Sequence, residues 1–393
     1  MTRTSGDVIV VGGGVVGTSI AYELSRRGLN VTIMDGTGLG SGSSGHGHGS
    51  LHLAGRNFPT DDFFSLARFS SSIYPSFVEG LLADSGIDPL YHELPGLFLA
   101  LDDEEVRTFR GVYEKYRTQI DVRWIDGEEC QAIEPRVNKE TIAGLVQPSG
   151  QVDAYLMCLA GAAAVEHHGG RVLNQHATGL LKKKNRIVGV EHEKGSIEAD
   201  IVVLSMGAWS WFAGSWVGFP VPVRPLHGEL VHARLPGEPF RAFIMSSKHG
   251  CVLPRRDGLL LVGATGGNVS GDKSAAAAHG FDPLDPTPPS FLIEPRPGDR
   301  EIILEGAVRL VPSLDEANVV NHLFGIRPLS ADGMPIIGPA PGLDGLFLAT
   351  GHGTKGIHLS PATAMLTADY IVNGSATKDV PSIPFLPDRF MAA

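Results

Sequence analysis

Cysteine is scarce in this chain: Cys130, Cys158 and Cys251 are odd in number and far apart, which excludes a disulfide framework or a cysteine-based zinc cluster and fits a reducing compartment. Long apolar runs are missing too. No segment reaches the roughly 18 apolar residues of a membrane span, and the amino-terminal stretch has no apolar core followed by a cleavage site. Positive charge is in deficit, with 32 Lys and Arg against 43 Asp and Glu, and the formal net charge of -11 repels a nucleic-acid backbone. The single basic run, Lys182 to Lys184, is short and reads as a solvated hairpin tip rather than a patch for anionic lipid. These absences lead to the expectation of a soluble cytoplasmic protein, with peripheral membrane association and homo- or hetero-oligomer formation left open. A length of 393 residues favours two domains over one core.

Glycine, by contrast, is abundant, and its first cluster carries the strongest signal. Val8 to Gly12 is apolar and rich in β-branched residues, the mark of a strand buried on both faces. Gly12, Gly14 and Gly17 then stand in GxGxxG register, Val16, Ile20 and Leu24 recur at helical spacing up to Arg27, and Val31 to Ile33 forms a second strand ending at Asp35. This is a complete β-α-β unit. Gly12 permits a tight turn, Gly14 lets backbone approach a pyrophosphate, and Gly17 lets the helix lie against the strand, so that Val15 and Val16 at the helix amino end meet the phosphate charge. Asp35 is placed to accept the hydroxyls of an adenosine ribose. The unit points to a dinucleotide and does not by itself separate FAD from NAD.

The stretch Gly38 to Gly55 is a glycine- and serine-rich loop that would return over the cofactor. Its histidines, His46, His48 and His52, have no Cys, Asp or Glu nearby to complete a ligand set, so they read as pocket-lining residues and no metal site is expected. Helices are expected over Asp61 to Leu82, Asp103 to Tyr116 and Ala154 to His168, the last stopped by Gly169 and Gly170. A domain boundary is expected near Ala83. Strands are expected at Gly96 to Leu101, Arg171 to Asn174, Arg186 to Glu193 and Ile197 to Leu204, with the turn at Gly207 lying beside the cofactor. Trp209 and Trp211 read as packing residues.

From Val221 the runs VPVRPLHGELVHARL, CVLPRRDGLLLVGATG and EIILEGAVRLVP suggest an antiparallel sheet with turns at Gly250 and Asp257-Gly258. Gly266 to Gly298 reads as a proline-rich surface loop. Beyond it come a turn at Asp332-Gly333, strands at Pro335 to Gly338 and Leu346 to Thr350, a glycine-rich loop from Gly351 to Gly356 and a helix from Ser360. That order repeats the opening unit, so a second helix amino end would point at the same cofactor.

Together, GxGxxG with Asp35, GSGSSG, PVRPLHGEL, CVLPRRDGLLLVGAT, GIRPLSADGMPIIG and GHGTKGIHLSP resemble, in order and over nearly the whole chain, the D-amino-acid oxidase superfamily of FAD enzymes. That superfamily includes glycine oxidase, sarcosine oxidase and D-amino-acid dehydrogenase, and GHGTKGIHLSP is most similar to the dehydrogenase branch. The resemblance implies an α/β fold: a Rossmann-type FAD-binding domain from residues 1–82, 150–225 and 327–393, and a substrate-binding domain with a mixed or antiparallel β-sheet from 83–149 and 226–326. It places Ser43 and Ser44 by the pyrophosphate, Leu180 with its backbone toward the adenine, Gly207 over the diphosphate, and Gly353, Thr354, Lys355, Gly356 and Ile357 against the isoalloxazine ring. Ser43-Ser44-Gly45-His46 also resembles the dimethylglycine dehydrogenase branch, in which a histidine is bonded to the flavin. A covalent link at His46 is therefore the alternative to the non-covalent FAD that the short GHGHG context favours.

The chemistry implied is oxidation of a C–N bond in a small amino acid, either a D-amino acid or an N-substituted or cyclic one. The flavin takes the hydride, and the protein holds the carboxylate and orients the α-hydrogen. A planar guanidinium does the holding with two hydrogen bonds, and Arg327 in GIRP matches the family's carboxylate clamp. Lys355 and His358 fall where relatives place a second cation or polar contact, and His48, Ser50 and His52 where relatives set side chains over the ring. A histidine there would keep the amine unprotonated. Thr354 stands where glycine oxidase has an arginine, and Gly266-Gly267 where many relatives have a glutamate. The reoxidant is oxygen or a quinone or other electron carrier. Two other readings share the fold: a 2-hydroxy acid dehydrogenase, and a flavin subunit of a larger electron-transfer complex.

Overall fold

The computed structural model describes residues 6–54, 58–263, 282, 285, 287–291, 293–376, 380 and 382–391. In chain order the elements are β1 (Asp7–Val11), α1 (Val15–Arg26), β2 (Asn30–Asp35), β3 (Ser50–Leu51), α2 (Asp61–Ser85), β4 (His92–Ala100), α3 (Asp103–Tyr116), β5 (Arg123–Asp126), α4 (Gly127–Ile133), β6 (Ala143–Gln151) and α5 (Ala154–His167). The middle of the chain adds β7 (Arg171–Asn174), β8 (Ala177–Lys183), β9 (Arg186–His192), β10 (Gly195–Glu198), β11 (Ile201–Leu204), α6 (Ala213–Val217), β12 (Val223–Arg234), β13 (Phe243–Ser246), β14 (Gly250–Pro254) and β15 (Leu260–Gly263). The last part supplies α7 (Asp299–Leu310), β16 (Asn318–Ser330), β17 (Ile336–Pro339), β18 (Leu346–Thr350) and α8 (Gly356–Asn373).

The opening unit builds a six-stranded sheet in the order β17-β18-β11-β1-β2-β7. Every pairing in it is parallel except that of the edge strand β17. Alternation along β1 buries both faces. Val8 and Val10 pack with Ile20 and Leu24 of α1, Met157 and Val165 of α5 and Ile371 of α8, while Ile9 and Val11 pack with Leu180, Ile187 and Val190 of the antiparallel β8-β9-β10 sheet. Gly17 is what lets α1 lie so close: a Cβ there would meet the Gly12 carbonyl oxygen at 1.9 Å.

A second sheet, nine-stranded, runs β16-β12-β15-β14-β13-β4-β6-β3 with β5 on β6. It is mixed, because β13 and β4 pair in parallel while the other pairings are antiparallel. One face carries Leu97, Val146, Val231, Val252 and Val262 beneath α7; the other carries Phe98, Leu145, Met245, Leu253 and Leu261. The chain is thus an α/β protein with a doubly covered parallel sheet beside a larger mixed one.

Several elements differ from the sequence reading. EIILEGAVRLVP is helical, since Ile303, Ala307 and Leu310 recur on one buried face, and Gly306 lets that helix approach within contact of the His249 carbonyl. The run from Ile197 to Leu204 is two strands, the last residues of β10 and then β11, because residues 199–200 hand the chain from the small sheet to the parallel one. β8 was not anticipated, and α8 begins at Gly356 rather than Ser360, with Pro361 as its sixth residue, where the Ile357 carbonyl left without a helical N–H accepts from the Ser360 and Tyr74 hydroxyls at 3.1 Å each. The loop from Gly266 to Gly298 falls largely, and Gly266-Gly267 wholly, outside the described residues.

Candidate active site

Both glycine turns open onto one cleft, of about 1650 Å³ counted out to its mouth. Gly12, Gly14, Val15 and Val16 line it from the amino-terminal side, and Gly353, Thr354, Gly356 and Ile357 from the carboxy-terminal side. The residues that start α1 and α8, Gly14 and Lys355, give no side-chain cap, and both positive helix ends face the same space. Gly12 holds φ +116°, and a Cβ on it would lie 2.2 Å from the Ser205 carbonyl oxygen, so the turn requires glycine.

Asp35 ends β2 at the cleft wall. Its Oδ2 accepts from the Gly13 N–H at 2.7 Å, and its Oδ1 accepts from the N–H groups of Thr37 and Gly38 at 2.9 Å each. These bonds fix the carboxylate where a ribose would reach it. Beyond it the wall is made by Gln175, His176 and Ala177, none of which the sequence reading singled out. Leu180, whose backbone was expected at the adenine, is not among the residues lining the cleft, and its side chain packs in the apolar core with Ile187 and Val190.

The glycine-serine loop crosses the cleft as expected. Ser43 and Ser44 line it. The Ser44 hydroxyl accepts from the Val15 N–H at 3.0 Å, tying the loop to the helix amino end, and the Ser43 hydroxyl donates to the Ile326 carbonyl of β16. Gly207 lines the cleft at φ +55°, and its carbonyl accepts from the Thr350 hydroxyl at 3.2 Å.

Next to Arg327 of the cleft wall stands a pair of glycines. Gly228 of β12 and Gly325 of β16 are register partners, with Leu226 opposite Arg327 one step along on the same face. A Cβ on Gly228 would meet Arg327 Nη1 at 1.8 Å; one on Gly325 would meet the His46 Cβ at 3.1 Å. The Arg327 side chain therefore lies in a slot that a missing side chain creates, with Nη1 donating to the His227 carbonyl at 3.2 Å, and His46 settles over the adjoining gap. Arg327 is the one arginine or lysine among the described residues that line the cleft.

Two histidines on this wall differ in the nitrogen that faces the backbone as donor. His46 Nδ1 lies 2.8 Å from the Gly42 carbonyl, an acceptor only, so Nδ1 carries a proton and Nε2 is the nitrogen left for a partner in the cleft. His48 Nδ1 accepts from the Ser50 N–H at 3.3 Å and lies 2.9 Å from the Ser50 hydroxyl, so its proton sits on Nε2.

The remaining candidates lie elsewhere. Ser50 is buried and does not line the cleft, and His52 packs edge-on against Phe98 with ring centroids 5.3 Å apart, again off the wall. Lys355 turns its Nζ to Phe58 and Phe63, 5.6 and 5.4 Å from their centroids, because those rings offer it a π-face outside the cleft. His358 is buried, with Nε2 2.6 Å from the Ser71 hydroxyl, so it joins α8 to α2. His352, which the sequence reading passed over, does line the cleft; burial pushes its imidazole down to about 3. Trp209, read as packing, stacks on Phe291 and also lines the cleft.

Comparison with known proteins decides the family. A family model described as FAD dependent oxidoreductase matches residues 7–370. The chain belongs to that family. Glycine oxidase from Pseudomonas putida is 30% identical over 98% of this chain and 99% of its own length. The crystal structure of glycine oxidase from Geobacillus kaustophilus matches with a TM-score of 0.86 at 29% identity, covering 98% of each chain. That of L-proline dehydrogenase from P. horikoshii shares the fold, with a TM-score of 0.82 at 24% identity over 100% of this chain and 99% of the other. As an FAD dependent oxidoreductase the protein is an enzyme, and its cleft fits the cofactor: glycine turns at both helix ends leave room for backbone to approach a diphosphate, and the Asp35 carboxylate lines the same cleft, where it could accept from a ribose hydroxyl. Among the described residues no helix is long and apolar enough to cross a membrane.

Proposed function

We propose that this FAD dependent oxidoreductase oxidises the C–N bond of a small amino acid to an imine, which water then hydrolyses to the oxo acid. The observation that carries the reading is the placement of Arg327 in the slot over Gly228, at the cleft where the two helix amino ends meet. Bound FAD supplies the two-electron acceptor that takes the α-hydrogen as hydride. The protein's own part is to hold and orient. Arg327 grips the substrate carboxylate with charge-assisted hydrogen bonds, and Thr354 leaves it as a single clamp. His46, with its lone pair on Nε2, accepts the ammonium proton so that the nitrogen lone pair is free, while His48 serves as a donor. Ser43, Ser44, Gly207, Gly353, Gly356 and Ile357 serve the cofactor. The FAD-binding domain is read as 1–82, 150–225 and 327–393, and the substrate-binding domain as 83–149 and 226–326.

The sheet face that carries Arg327 is apolar beyond the cleft. Register aligns Leu230, Gly263, Cys251, Met245 and Phe98 on the face that Arg327 shares. This wall supports a D-amino acid, or an N-substituted or cyclic amino acid, with an uncharged substituent, and relatedness to a glycine oxidase supports the amine as the group oxidised. The test is an anaerobic panel of such amino acids with the flavin-loaded enzyme. Bleaching of the yellow colour by one of them supports the reading, and restoration on adding air or a quinone assigns the electron acceptor. Bleaching by 2-hydroxy acids alone, or by no small molecule until a second protein is added, overturns it.

A further inference from the structure

The side chains on the other face of the same strand pair form a cluster that amine oxidation does not use. Because Leu226 and Arg327 share one face, His227, Glu229 and Val231 point to the opposite face, together with His322, which pairs with Val231. That face is covered by α7, whose first residue is Asp299. There Glu229 is buried to 1% exposure and His227 to 7%. Glu229 Oε1 lies 2.8 Å from His227 Nε2 and accepts from the Arg296 N–H at 2.5 Å, while Glu229 Oε2 lies 2.7 Å from His322 Nε2 without the alignment of a hydrogen bond between them. One ligand atom each from His227, Glu229 and Asp299 fits within 4.8 Å of the others.

Glu229 and Asp299 bring their carboxylates to the same buried spot as the His227 imidazole, under the amino end of α7. An imidazole nitrogen and two carboxylate oxygens from a β-strand and a helix start are the donor types that borderline divalent ions take, zinc above all. We propose that His227, Glu229 and Asp299 bind one divalent cation of the zinc class behind the substrate sheet, with His322 as a positioning residue on the second oxygen of Glu229. The ion fills the gap between the groups. It ties β12, β16 and the amino end of α7 together on the back of the strand pair whose front holds Arg327 and Gly228.

The experiment uses the flavin-loaded protein, stripped with a chelator, re-equilibrated with zinc chloride and passed through a desalting column. The native enzyme is expected to retain about one zinc per chain and to melt at a higher temperature with zinc than without. Asp299→Asn, at a half-buried position that tolerates the change, is expected to lose the zinc-dependent rise in melting temperature. His322→Ala is expected to weaken zinc binding by about tenfold, the size of effect found for groups that orient a ligand. Retention of no zinc by the native enzyme overturns the proposal, as does the same zinc-dependent melting shift in native and Asp299→Asn proteins. The result is independent of the substrate reading, since neither metal content nor melting requires turnover.

Discussion

Arg327 lies across Gly228, so close that a methyl group on the glycine would overlap its guanidinium. The two residues sit on neighbouring antiparallel strands, two residues out of direct register, so that the guanidinium lies diagonally over the glycine. Arg327→Ala is expected to weaken substrate binding on the order of a hundredfold, by removal of two hydrogen bonds to a charged group, while the protein stays yellow. Gly228→Ala is expected to mimic it by displacing the guanidinium. Titration of anaerobic flavin bleaching against substrate concentration measures both, and loss of flavin from Arg327→Ala would reassign that residue to the cofactor.

Cofactor binding depends on Gly17 through packing, not through contact with the ligand. A Cβ there would collide with the Gly12 carbonyl and with the Ser205 hydroxyl, 2.5 Å away, pushing α1 off β1 and its amino end out of the cleft. Gly17→Ala is expected to yield a folded but largely colourless protein whose melting temperature no longer responds to added FAD. The ratio of flavin to protein absorbance after desalting reads this directly.

His46 separates two uses of one side chain. Its Nδ1 is committed to the Gly42 carbonyl, and the proposal assigns Nε2 to the substrate ammonium, not to a bond with flavin. Acid precipitation is accordingly expected to leave the yellow colour in the supernatant. His46→Asn is expected to remain yellow and to reduce its flavin more slowly at neutral pH, recovering at alkaline pH where the substrate amine loses its proton unaided. Colour in the precipitate would instead establish a covalent link.

How much of this was legible depends on which force writes the pattern. The β1-α1-β2 unit was readable because glycine spacing, helical periodicity and Asp35 all follow from one local geometry. The convergence of the Gly353 to Ile357 loop on the same cleft was readable too, because it repeats that geometry. Arg327 was found by its motif, but its partner glycines were not, since Gly228 and Gly325 meet only through strand register. Lys355 and His358 were misplaced for the same reason: along α8 adjacent residues point in different directions, and Phe58, Phe63 and Ser71, distant in sequence, decide where those side chains go. EIILEGAVRLVP reads as strand on propensity, and only the surface under it selects the helix.

His352 is expected to contribute to the acid limit of the fold. Buried beside the cleft with Nε2 3.0 Å from the Thr363 hydroxyl, it is neutral, its imidazole lowered by burial from 6.5 to about 3. The unfolded chain takes up a proton at this residue near pH 6.5, whereas the folded one resists until about pH 3, so its contribution to stability is fully present above pH 6.5 and is lost progressively as pH falls toward 3. The loss amounts to a few kcal/mol, on the order expected for a shift of several pH units. His352→Gln, which has no proton to gain and retains a polar atom for Thr363, is expected to flatten this acid slope while lowering stability at neutral pH. Denaturant midpoints measured for both proteins from pH 7 down to pH 4 give the comparison, and parallel slopes would show that another group governs acid unfolding.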